Sequence, residues 1–317
     1  LVDVFLDAQR KPPREIWLDL DATDDPLHGH QEGRFFHGYY RCYCYLPLYI
    51  FCGEHLLCAR LRPADRDAST GSIEELQRIV DQIRARWPKT RIIIRGDSGF
   101  CREPIMAWCE ANAVRYVLGL ARNKRLQRAL GAEMAAARQA HERTGKAARR
   151  FRDFRYRTRK SWSCERRVVG KAECLPGKAN PRFVVTDLKP REACAKRLYE
   201  KLYCARGEME NRIKEQQLGL FADRTSSATL RANQLRLYFS SFAYVLLHGL
   251  RRLGLSGTAF AKAQSTTIRL KLLKIGARLR LTARKVWLSF SEAYPYARDI
   301  AQILANLNRH PAWSPPG

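Results

Sequence analysis

Arg91-Ile-Ile-Ile-Arg-Gly-Asp-Ser-Gly99 is the stretch on which the fold turns. Three consecutive β-branched apolar residues mark a strand buried on both faces of a sheet. The run ends on Gly96-Asp97, which puts a carboxylate at the carboxyl end of that strand, where open α/β sheets build their sites. Upstream, Ser72 to Trp87 carries Ile73, Leu76, Ile79, Val80 and Ile83 at helical spacing and is stopped by Pro88. Downstream, a helix is expected from about Pro104 to Asn112, then a short strand from Arg115 to Leu120.

Towards the N-terminus, Glu15-Ile-Trp-Leu-Asp-Leu-Asp-Ala22 alternates apolar and acidic residues with period two, as a strand does. Thr23 to Gly33 is rich in Asp, Gly, His and Pro and reads as a loop. Residues 36–45 and 47–58 are aromatic and β-branched, with Pro47 between them and Gly53 inside the second. They read as two further strands in a hairpin-like pair. The order β-β-β-α-β-α-β, three antiparallel strands and then a helix and two parallel strands, is the ribonuclease H-like arrangement. The predicted fold is therefore α/β, a mixed sheet flanked by helices, with residues 1–120 as its first part.

Between Arg122 and Lys171, Lys and Arg far outnumber the acids, which are only Glu133, Glu142, Asp153 and Glu165. An Ala-rich helix precedes Arg152-Asp-Phe-Arg-Tyr-Arg-Thr-Arg159, where strand alternation puts Arg155, Arg157 and Arg159 on one face. Arg182 to Thr186 is another strand. Residues 121–189 read as a basic β-rich insertion, 190–254 as helices completing the core, and 255–317 as a C-terminal helical region. Arg231 to Leu253 is mostly apolar and reads as a core helix.

The 317 residues are 45% hydrophobic and 28% charged, as in a soluble globular protein with a sizeable core. Lys and Arg total 58 against 31 Asp and Glu, a net charge of +27. Self-repulsion on that scale calls for a polyanion, DNA or RNA first, with an anionic membrane or a ribosome as rivals. The ten cysteines contain no C-x2-C pair and are expected to be reduced thiols in a cytoplasmic protein. No signal peptide or membrane-spanning apolar run is visible, which agrees with a cytoplasmic, nucleoid-associated protein. The chain opens on Leu1 rather than Met, almost directly into a strand, from which we expect that an N-terminal portion is lacking.

Phosphodiester chemistry with two metal ions needs several carboxylates on one point, holding ions roughly 3.5–4 Å apart. Three acids answer to this: Asp21 at the end of the first strand, Asp97, and Glu210 on a later helix. Each alone fits a helix cap or a solvated acid. Together, on neighbouring strand ends in an acid-poor chain, they suit a metal site. Tyr203, Arg206 and Glu210 are spaced to share one helix face, a phenol, a guanidinium and a carboxylate suited to a phosphate beside a metal.

Asp19-Leu-Asp-Ala-Thr-Asp-Asp-Pro-Leu-His-Gly29, Arg95-Gly-Asp-Ser-Gly-Phe100 and Tyr203-x2-Arg206-x3-Glu210 resemble the DDE transposases of bacterial insertion sequences. The nearest branch carries a Tyr-Arg-Glu-Lys signature, and Asp223-Arg-Thr-Ser-Ser227 and Asn233-Gln-Leu-Arg-Leu237 resemble it too. The resemblance, over roughly residues 15–300, implies Asp21, Asp97 and Glu210 as ligands of two Mg²⁺ or Mn²⁺ ions. Asp19 is the alternative first carboxylate. Tyr203 and Arg206 would touch the phosphate beside the scissile bond. The signature's Lys position is Gln217 here, and Lys214 is the nearest substitute. In relatives that cut through a DNA hairpin an insertion aromatic stacks on a flipped base, and Trp162 is the candidate; Arg155, Arg157 and Arg159 are candidates for a phosphate track. His28 and His30 are read as orienting the loop or DNA rather than as ligands of zinc, and Ser98 lacks the spacing of a nucleophile elbow.

The implied activity is cleavage of double-stranded DNA at transposon ends, with strand transfer into target DNA, by a homodimer on DNA. The rivals are a catalytically decayed or non-enzymatic DNA-binding protein, and a cellular ribonuclease H-like nuclease.

Overall fold

The computed structural model describes residues 1–309. Helix α1 (Val2–Asp7) comes first and buries Val2, Phe5 and Leu6, so the chain enters its first strand through a packed helix. Strand β1 (Glu15–Ala22) follows. Next comes a small edge sheet of β2 (Asp25–Pro26), β3 (Phe35–His37) and β4 (Cys42–Tyr45), in the order β2-β4-β3. Strands β5 (Leu48–Cys52) and β6 (His55–Arg60) form the true hairpin of the core.

The expected pair 36–45 and 47–58 is thus divided differently. The backbone turns at Gly53, whose φ is 57°, and splits the second stretch into two strands. Arg41, with a φ of 56°, marks the turn that splits the first. The three antiparallel strands of the core are β1, β5 and β6.

Helix α2 (Ser72–Arg86) buries Leu76, Ile79, Val80 and Ile83 and leads to β7 (Arg91–Gly96). Helix α3 (Glu103–Ala111) and β8 (Arg115–Leu120) follow. Helices α4 (Lys124–Ala129) and α5 (Gly131–Thr144) precede β9 (Ala148–Tyr156), β10 (Arg166–Leu175), the short β11 (Lys178–Ala179) and β12 (Arg182–Thr186). β1 pairs β5 antiparallel and β7 parallel, and β7 pairs β8 parallel. This order and these directions are those of a ribonuclease H-like sheet. Beyond β8 the sheet continues through β12 and β10 to β9, each pair antiparallel. The basic stretch 121–189 therefore extends the central sheet rather than standing apart from it. The buried strand β10 was not foreseen.

One face of the sheet packs Ile16, Leu18, Leu20, Ile92 and Ile94 against α1, α2 and α3. The other face receives α6 (Ala195–Arg197), α7 (Gly207–Lys214) and the long α8 (Leu230–Leu253). The stretch expected as a C-terminal helical region holds α9 (Ser265–Ile268), α10 (Ala297–Asn308) and, between them, a fully exposed hairpin of β13 (Ala277–Leu281) and β14 (Val286–Phe290). Its end, residues 310–317, lies outside the described residues. Among the described residues no helix is long and apolar enough to cross a membrane. All ten cysteines are free.

Candidate active site

Strand alternation in β1 sends Ile16, Leu18 and Leu20 into the core and leaves Trp17, Asp19 and Asp21 on the opposite face. Leu20 is aligned with Gly96, so Asp21 and Asp97 lie at the carboxyl ends of adjacent parallel strands. Asp97 accepts a hydrogen bond from the Gly99 amide at 2.8 Å. A Cβ on residue 99 would stand 2.9 Å from that carboxylate oxygen and 3.2 Å from the Ala68 Cβ, so a side chain there would displace the Asp97 carboxylate.

The third carboxylate arrives on a helix of mixed pitch. Leu198–Tyr203 is a π-helical turn, Cys204–Arg206 a 3₁₀ turn, α7 follows, and Glu215–Gly219 is π-helical again. Single π turns inside helices recur at functional sites. Tyr203 packs its hydroxyl onto the bare backbone of Gly119 in β8: a Cβ there would lie 2.5 Å from the phenolic oxygen and 3.0 Å from the Ser98 amide nitrogen. Arg206 lies between two of the acids, with Nη1 3.3 Å from Asp21 Oδ2 and Nη2 2.6 Å from Glu210 Oε1.

Asp21, Asp97, Arg206, Glu210, Lys214 and Gln217 line one cleft of about 980 Å³. Burial pushes the Asp21 carboxyl up to about 6; Arg206 opposes this, while the neighbouring Asp97 and Glu210 carboxylates add to it. Burial likewise raises the Tyr203 phenol. The two candidate first carboxylates have different partners. Asp19 is buried and held by Arg95, Nη2 to Oδ2 at 2.7 Å, and Arg95 also donates to the Leu202 carbonyl at 2.5 Å. Asp19 is thereby committed to an internal ion pair, and Asp21 faces the cleft.

Several expectations need correcting. Among the described residues no three His, Cys, Asp or Glu side chains are gathered closely enough to hold a metal ion, and the Arg206 guanidinium lies between Asp21 and Glu210. Gln217 lines the cleft, but its amide donates to the Asp24 carbonyl and to Asp25 Oδ1, both at 3.0 Å. Trp162 is a core residue, 5% exposed, edge-on to Tyr156 and beneath Arg166, so its indole is not presented to a base. Strand β9 ends at Tyr156, leaving Arg157 and Arg159 beyond it; Arg155 donates to the Glu165 carbonyl and Arg157 to the Trp162 carbonyl. Since β9 opposes β10, β10 opposes β12 and β12 opposes β8, β9 runs antiparallel to β1 and β7, and its Arg155 is level with Arg95 and Asp19. Arg155 is therefore separated from Asp97 by the width of β10, β12 and β8, and Arg157 and Arg159 follow it beyond the strand. His28 and His30 are exposed, and His37 reaches the cleft rim.

Sequence reasoning missed Tyr39, 84% exposed on the cleft rim beside Tyr40, although Gly38-Tyr39-Tyr40-Arg41 joins two aromatic strands as a turn would. It also missed Arg95 and Gly119, whose roles depend on what faces them across the sheet.

The decisive comparison is with family models: residues 1–312 match the transposase DDE domain group 1. The chain belongs to this family of transposase DDE domains. No curated protein matches this DDE domain in sequence. Among solved structures it is similar to the piggyBac transposase in its synaptic complex with hairpin DNA, at 11% identity and a TM-score of 0.43, over 82% of this chain and 52% of that one. The DDE domain thus spans about half the length of that transposase, and a similarity this low says nothing about the site.

Proposed function

We propose that this chain is the catalytic part of an insertion-sequence transposase that cuts double-stranded DNA at transposon ends and joins the freed end to target DNA. The observation that carries the reading is one cleft, at the carboxyl ends of β1 and β7, lined by Asp21, Asp97 and Glu210. Hard carboxylate oxygens suit Mg²⁺ or Mn²⁺, and the crowded like charge that helps to raise Asp21 is what a divalent cation relieves. Two such ions, when bound, supply Lewis-acid activation of the attacking oxygen and stabilisation of the leaving one.

The chain's own residues bind and orient the strand. Arg206 and Lys214 offer cations to the phosphate, and Tyr203 packs its hydroxyl on Gly119 close to the Asp97 backbone. Water attacks the phosphorus at the transposon end, the bond to the 3′ oxygen breaks, and a 3′-hydroxyl is released. That hydroxyl attacks a target phosphodiester in line, so one bond forms as one breaks and no covalent enzyme intermediate is needed. Arg155, Arg157 and Arg159 serve DNA away from the scissile bond. A homodimer on DNA in the nucleoid completes the reading.

A second reading, a DNA-binding protein that has lost its chemistry, is favoured by the Arg206 bridge and by Gln217 at the signature's Lys position. Nicking of supercoiled plasmid with Mg²⁺ or Mn²⁺ separates the two. Activity in the parent that disappears in Asp97→Ala and Glu210→Ala supports the transposase. A silent parent with intact, salt-sensitive DNA binding supports the second reading, and full activity in Asp97→Ala overturns the first.

A further inference from the structure

A cation shared by Asp21 and Glu210 would have to stand where the Arg206 guanidinium stands. Arg206 is held there by charge on two sides, and its side chain is largely screened from solvent, with 17% exposed. Its backbone occupies the 3₁₀ turn between a π-helical turn and α7, the least regular part of the helix. Lys214, farther along the same helix, lines the same cleft but makes no ion pair among the described residues. One basic group is thus free to meet an incoming phosphate, and the other is engaged with the acids.

We propose that Arg206 is a latch on the metal site: it closes the site while DNA is absent, and a DNA phosphate draws it away. The reasoning rests on the reading of Asp21 and Glu210 as metal ligands. A guanidinium and a divalent ion cannot both lie between the two carboxylates. Binding of metal therefore has to break both Arg206 contacts, and a freed guanidinium beside a metal needs a new anion. A phosphate oxygen suits it, because the guanidinium fork matches phosphate geometry. Metal and DNA then favour each other's binding, by the same factor in each direction, within the 5- to 150-fold range usual for coupled sites. The device keeps a nuclease unloaded until a strand is in place.

Calorimetric titration of Mn²⁺ into the full chain tests this, with the parent, Arg206→Ala, Arg206→Gln and Glu210→Ala compared, each with and without a short blunt DNA duplex. Without DNA, both Arg206 variants should bind Mn²⁺ about 10-fold tighter than the parent or better. The duplex should bring the parent towards the same affinity and add little to the variants. Arg206→Gln keeps a polar group in the cleft and serves if Arg206→Ala does not fold. Parent-like or weaker Mn²⁺ binding by the Arg206 variants overturns the latch. Glu210→Ala binding Mn²⁺ as tightly as Arg206→Ala instead overturns the metal-site reading on which the latch rests.

Discussion

Arg95 Nη2 lies 2.7 Å from Asp19 Oδ2, across the parallel pairing of β7 and β1, with both side chains buried. The same guanidinium donates to the Leu202 carbonyl, so it ties two central strands to the turn that presents Tyr203. Removing one partner of a buried pair leaves an uncompensated charge, at a cost of about 3–5 kcal/mol. Asp19→Ala should therefore lower unfolding stability by about that much, measured by denaturant titration. It should also reduce DNA cleavage, although Asp19 does not face the cleft. A loss below about 1 kcal/mol would show that the pair is solvated after all.

Gly119 carries a steric prediction. An added methyl group meets the Tyr203 hydroxyl at 2.5 Å and backbone atoms of Asp97 and Ser98 at 3.2 and 3.0 Å. Gly119→Ala should cost about 1–3 kcal/mol, as overpacking does. Because one neighbour is a side-chain oxygen, Tyr203→Phe in the same chain should recover part of that loss. Strictly additive penalties in a double-mutant cycle would show that Tyr203 does not rest there.

Asp25 gives a dependence on pH. Burial raises its carboxyl to about 7 from an ordinary 3.8; Gln217 opposes the rise, and Asp223 and Asp24 add to it. The folded chain then holds this proton to higher pH than the unfolded chain does. The stability contributed by Asp25 is full below about pH 4, declines as pH rises, and is lost above 7, at no more than about 1.4 kcal/mol per pH unit. Melting temperatures of the parent and Asp25→Asn should diverge in favour of Asp25→Asn between pH 5 and 8. Gln217→Lys, which places a cation beside Asp25, should flatten the parent's decline. Parallel curves for the parent and Asp25→Asn would rule this account out.

Trp162 should behave as core. Trp162→Ala is expected to cost about 3–5 kcal/mol of stability. The salt dependence of DNA binding in the surviving folded fraction should be unchanged. An unaltered melting temperature with weakened DNA binding would restore the indole to a recognition role.

The parallel strands were legible because their residues obey one local rule. Ile92, Ile93 and Ile94 can only be central, and Asp97 follows from where that run stops. The aromatic stretch 36–58 was read less well. Aromatic and β-branched composition specifies strand but not where it turns, and two left-handed positions, Arg41 and Gly53, made four strands from two. The Arg155, Arg157 and Arg159 face rested on an alternation that stops with β9 at Tyr156, and it was silent on direction: three successive antiparallel pairings turn β9 against β1 and β7. In the site, Asp21, Asp97, Arg206 and Glu210 were named from the sequence, and they share one cleft. That Arg206 would lie between two of the acids was not legible, because a regular helix was assumed where the pitch changes.

The wide turn at Leu198–Tyr203 has a further consequence. A π turn holds one residue more than the α turn it replaces, so deleting a residue there leaves a helix of ordinary pitch. Everything upstream of the deletion would then be rotated by about 100° relative to Tyr203 and Arg206. The helix could keep its packing against the sheet or its aim at the acids, but not both. The length of this segment therefore answers to two demands at once, the burial of Leu198 and Tyr199 and the aim of Tyr203 and Arg206 at the acids.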